Sequence, residues 1–65
     1  FQTTPYKMLM QMRMRRATSL LLETDFSIKE IASKVGYDNA LNFSTEFRKT
    51  HHVPPREFRK KILSQ

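Results

Sequence analysis

An all-α fold is predicted for this 65-residue chain by three features. A run of good helix formers extends from Thr4-Pro5 to Glu23, a capped apolar stripe runs from Ser27 to a lone Gly36, and a third stripe carries Phe43 and Phe47.

The first segment starts with Thr4 in the N-cap position and Pro5 at the first helical position, where its missing N–H and fixed φ cost nothing. Helix formers continue to Glu23 before Thr24 and Asp25 break the pattern, a rod close to about 30 Å long. One stripe holds Tyr6, Met10, Met14, Ala17 and Leu21, with Leu9 and Leu20 beside it, and Met8 and Met12 fall well off that face. Two apolar surfaces call for two things to pack on, so material upstream of Phe1 is expected against the second. The methionines themselves read as adaptable core filler. Arg13 lies inside the main stripe, where pairing with an acid such as Glu30 or Asp38 is expected.

The second segment is specified by its own start. Ser27 is a good N-cap, Glu30 three residues on completes a capping box, and Phe26 and Ile31 are spaced for a hydrophobic staple. Ile28, Ile31, Ala32 and Val35 then form one apolar stripe with Lys29, Ser33 and Lys34 on the wet side. Gly36, the only glycine, follows directly and fits a left-handed C-terminal position. Asp38 or Asn39 can cap the third segment, which runs to about Thr50. At 100° per residue Ala40, Phe43 and Phe47 gather on one side, and Leu41, Asn42, Thr45, Arg48 and Lys49 spread over the other. Two short helices around a sharp turn are the layout of a helix-turn-helix, whose second helix enters the DNA major groove. Pro54 and Pro55 then open a last helix, with Pro55 at its first position and Phe58 and Ile62 toward the core. The predicted architecture is therefore a long N-terminal linker helix, a homeodomain-like three-helix module and a short C-terminal helix. Its domains are 1–25, the linker helix with the remnant of a first module, and 26–65, the second helix-turn-helix.

Charge supports the reading through its distribution. The net charge is +6, from 12 Lys and Arg against 6 Asp and Glu. Residues 1–22 carry Lys7, Arg13, Arg15 and Arg16 without an acid, residues 23–46 are net −3, and residues 47–65 return to +5. A reading element flanked by phosphate-gripping segments has this pattern, because phosphate contacts position a protein while base contacts specify. Basic composition by itself fits any acidic partner equally well.

Other classes find little support. The chain has no cysteine, no run near the roughly 20 apolar residues of a membrane span, and no glycine-rich phosphate loop. His51 and His52 are adjacent, without a third placed ligand, which is a poor metal site. An enzyme, a cofactor and a membrane contact by this fragment are not expected. A reducing, cytoplasmic setting is. The chain begins without Met and reads as cut from something larger.

These residues match a known pattern. Ser27-Ile28, Glu30-Ile31-Ala32, Val35-Gly36-Tyr37, Phe43, Phe47-Arg48-Lys49, Pro55 and Phe58-Arg59 resemble the C-terminal helix-turn-helix of AraC/XylS-type bacterial transcription activators. Thr4-Pro5, Leu9, Arg13, Ala17 and Leu20-Leu21 are similar to that family's linker helix. The resemblance implies double-stranded DNA as partner, a first helix-turn-helix upstream, and an effector or sensor domain in the parent protein. By residue-wise analogy it puts Asn39, Leu41, Asn42, Ser44 and Thr45 at base edges. Arg48, Lys49, Lys29, Arg56 and Arg59 are the expected phosphate contacts, together with backbone N–H groups near Ser27 and Ile28. Where the family usually has glycine before the terminal proline motif this chain has His52, so a left-handed histidine is expected there. The alternative carried forward is a basic helical protein-interaction module that never touches DNA.

Overall fold

The computed structural model describes residues 5–63, the side chain of Leu63 excepted, and contains four helices. These are α1 (Pro5–Glu23), α2 (Ile28–Lys34), α3 (Ala40–His51) and α4 (Pro55–Leu63). The expected Thr4 cap lies outside the described residues.

Local chemistry sets each boundary. Ser27 Oγ accepts from the Glu30 N–H at 3.0 Å and Glu30 Oε1 accepts from the Ser27 N–H at 3.1 Å, so the capping box of α2 is complete. At its other end Tyr37 N–H donates to Ala32 at 2.8 Å and Gly36 N–H to Ser33 at 3.2 Å. That pair of bonds is a Schellman motif, and it needs Gly36 at φ +95°. Asn39, one of the two expected caps, holds α3: its Oδ1 accepts from the Asn42 N–H at 2.8 Å. His52 ends α3 at φ +68°, in the left-handed region, with its N–H on the Arg48 carbonyl at 2.8 Å. Pro55 begins α4 and is fully buried.

The core joins all four helices. Met14, Ala17 and Leu21 of α1 meet Ile31, Ala32 and Val35 from the α2 segment and Phe43 and Phe47 of α3, with Phe26, Tyr37 and Phe58 packed against them. Burying both phenylalanines at zero exposure removes the largest apolar side chains from water, at roughly 1.5–3 kcal/mol each. An aromatic chain continues through the core: Tyr37 to Phe43 at 5.6 Å, Phe43 to Phe47 at 5.7 Å, and Phe47 to Phe58 at 5.4 Å edge-on. His51 stacks on Phe47 at 4.2 Å and also lies 5.5 Å from Phe58, so the three rings contact one another.

Three expectations change. Tyr6 is 68% exposed, because the first turns of α1 project past the end of the core that its C-terminal half covers. Ile62 is likewise exposed near the far end of α4. Among the described residues Arg13 pairs with no acid; its guanidinium lies over the Tyr37 ring, 5.3 Å from the centroid, while Glu30 is spent on the capping box. Met8 and Met12 are exposed, on the second surface the spacing gave them.

Candidate nucleic-acid interface

The anchoring of α3 decides what its outer face can do. With Phe43 and Phe47 sealed in the core and Ala40 half-buried beside them, the helix has one rotational setting. Leu41, Asn42, Thr45, Arg48 and Lys49 consequently stand exposed together, as the 100° spacing requires. Leu41 is 74% exposed, the highest value among the exposed large hydrophobic residues. Arg48 and Lys49 occupy the last turns, where cations also complement the helix dipole. Lys49 Nζ lies 3.6 Å from Glu46 Oε2, an exposed pair of the kind worth about 0–1 kcal/mol, which leaves the ammonium free to exchange partners.

The five residues expected at base edges do not form one equivalent set. Asn42 uses only its backbone N–H internally, and its side-chain amide has no partner among the described residues. Thr45 donates its hydroxyl to the Leu41 carbonyl at 2.9 Å. Asn39 has spent its Oδ1 on the cap, so its amide N–H₂ is what it can still offer. Ser44 is half-buried, since it sits next to the Ala40 side of the helix rather than on the outer face. Of these five, the exposed outer face of α3 thus holds Leu41, Asn42 and Thr45, with Asn39 at its edge.

The phosphate candidates also divide. Ser27, Ile28, Arg56 and Arg59 come together, with Glu57 and Lys60, around a cleft between the start of α2 and the start of α4. Arg59 does not point freely into it: Nε donates to the Leu21 carbonyl at 2.9 Å and Nη2 to the Thr24 carbonyl at 3.1 Å, so it satisfies carbonyls at the end of α1. The Ser27 N–H is held by Glu30, which leaves Ile28 and Lys29 as the N–H donors of the first turn of α2. Arg56 remains exposed in the cleft, and so does Lys60, one turn further along α4. Lys29 is exposed on α2.

Among the described residues no cluster of three potential metal ligands occurs, and no helix is long and apolar enough to cross a membrane. Tyr37 donates its hydroxyl toward Met10 Sδ at 3.5 Å. Burial pushes its phenol up, the Glu46 charge adds to this, and Arg13 opposes it.

This arrangement has known counterparts. A helix-turn-helix domain family matches residues 1–61. The transcriptional activator CfaD of Escherichia coli is 38% identical over 52 residues, 80% of this chain and 20% of that protein. The activator RhaS of Enterobacter sp. (strain 638) is 39% identical over 56 residues, 86% of this chain and 20% of that protein. The chain thus spans about a fifth of the length of these curated relatives. Among solved structures, the C-terminal domain of the two-component response regulator yesN from Fusobacterium nucleatum superposes with a TM-score of 0.88 at 36% identity, over 91% of this chain and 57% of that one. The DNA-binding domain of AdpA, solved with a target DNA, superposes with a TM-score of 0.86 at 25% identity, over 91% and 53%. A match that covers nearly the whole chain, on a fold of the same four helices, establishes that this chain belongs to the AraC-type helix-turn-helix family.

Proposed function

We propose that this chain is a sequence-specific DNA-binding module of a transcriptional regulator, with α3 laid in the major groove. The observation that carries the reading is the split of α3 into a sealed aromatic back and an exposed front of Leu41, Asn42, Thr45, Arg48 and Lys49. Asn42 is the candidate for a bidentate contact to an adenine edge. Arg48, Lys49, Lys29, Arg56 and Lys60, with the N–H groups of Ile28 and Lys29, are the candidates for backbone phosphates. Arg59 contributes by fixing α4, which carries Arg56. The solved complex of AdpA with DNA supports the assignment by likeness of fold.

The family is one of regulator domains, and catalysis forms no part of this proposal. The parent protein is proposed to act in the cytoplasm and to carry an upstream helix-turn-helix and an effector or sensor domain. Relatives five times as long, and the exposed Met8, Leu9 and Met12 of α1, support the upstream module. The same apolar surface favours the second reading, a protein-interaction module without DNA binding.

Titrating the chain with duplex DNA at two salt concentrations separates the two. DNA binding through several phosphates should weaken steeply with salt, whereas docking through the methionine face should be nearly insensitive to it and indifferent to duplex.

A further inference from the structure

Leu41 and Thr45 share a chemistry that a hydrogen-bonding account of α3 leaves unused. They lie one helical turn apart on the exposed front, and the Thr45 hydroxyl donates to the Leu41 carbonyl at 2.9 Å. Its hydrogen is thereby committed within the helix. Thr45 can present a base with its γ-methyl group and its oxygen lone pairs, but with no donor. Leu41 beside it is 74% exposed and supports nothing in the core. In the major groove the C5-methyl is the apolar feature that distinguishes thymine from the other three bases.

We propose that Leu41 and the methyl group of Thr45 form one apolar patch that recognises the 5-methyl group of thymine, so that the preferred duplex carries an obligatory thymine there. Asn42, next in sequence to Leu41, leaves its side-chain amide without a partner among the described residues, which suits an adenine edge close to that methyl. The patch therefore selects A·T-containing steps and rejects cytosine for want of a methyl. This inference rests on the DNA-reading assignment above, and narrows it to one chemical group.

Deoxyuridine isolates that group, because it differs from thymidine in the major groove by the methyl alone. Preferred duplexes are selected from a random pool with the chain as it stands, and each thymine is then replaced singly by uracil. At one or two positions uracil should weaken binding about 3- to 10-fold, the scale of one or two buried methyl groups. Leu41→Ala should bind the thymine and uracil forms of that site equally. Thr45→Ser, which keeps the hydroxyl and removes the methyl, should shrink the difference. Uniform indifference of the unaltered chain to uracil overturns the proposal while leaving DNA reading intact. A uracil penalty that persists in full in both variants also overturns it, since other residues would then sense the methyl. Failure to enrich any sequence from the pool overturns the DNA-reading assignment and this one with it.

Discussion

Arg59 reaches from α4 to the end of α1 and donates from Nε to the Leu21 carbonyl at 2.9 Å, with Nη2 on Thr24 at 3.1 Å. A residue that looks from the sequence like a phosphate ligand is thus occupied in joining the first helix to the last. Charged hydrogen bonds to half-buried carbonyls contribute about 1.5–3 kcal/mol, so Arg59→Ala should lower the unfolding free energy measured in urea by an amount in that range. The slope of duplex affinity against salt should stay unchanged in folded Arg59→Ala, whereas Arg56→Ala should flatten it by about one. The reverse pattern of slopes would return Arg59 to the phosphates.

Gly36 should resist substitution for two reasons. Its φ of +95° is strained for any residue with a Cβ, and a Cβ there would meet Arg13 Nε and Nη2 at 3.3 Å. Gly36→Ala is expected to cost about 1–2 kcal/mol from backbone strain, with a further loss if Arg13 is pushed off Tyr37. Thermal unfolding of the pair Gly36→Ala and Gly36→Asn checks this, because asparagine tolerates the left-handed region better and should be the milder change.

Tyr37 should give the chain an alkaline weakness. Its phenol is raised above the ordinary value of 10.0, first by burial and then by Glu46. The unfolded chain releases this proton before the folded one does, so the contribution is fully present below about pH 10 and falls as pH rises through the higher folded value. Urea midpoints between about pH 8 and 11 should decline for the unaltered chain and decline less for Tyr37→Phe. Identical declines would show that Tyr37 is not the group responsible.

Phe47 touches Phe43, His51 and Phe58, and among the described residues no other ring links as many aromatic neighbours. Phe47→Ala should cost about 3–5 kcal/mol, comparable with the whole stability of a domain this small. Far-ultraviolet circular dichroism at room temperature should therefore show a largely unfolded chain.

The fold was legible where a local rule decides the outcome. Ser27 with Glu30, Gly36 after Val35, and Phe43 with Phe47 each act within one or two turns, and their geometry follows from spacing alone. The left-handed His52 was legible only through the family resemblance, which puts glycine at that position. What the sequence hides is set by partners far along the chain. Arg59 meets a carbonyl 38 residues away, and Arg13 lies over an aromatic face while Glu30, one of the two acids expected for it, is engaged in the capping box. Tyr6 continues the periodicity of α1 beyond the end of the core, which periodicity cannot report. For the candidate site, the spacing identified the front of α3. It did not reveal that Thr45 turns its hydroxyl inward, that Asn39 is spent on the cap, or that Ser44 borders the core.

The central claim is that the front of α3 distinguishes one base sequence from another, and Asn42→Ala tests it most directly. Affinity for a selected duplex and for its scrambled counterpart should be measured for the unaltered chain, Asn42→Ala and Lys49→Ala. Asn42→Ala should lose about 1–3 kcal/mol of preference at one base pair, while Lys49→Ala should weaken both duplexes alike and reduce the salt slope by about one. An Asn42→Ala chain that keeps the full preference for the selected duplex would contradict the account.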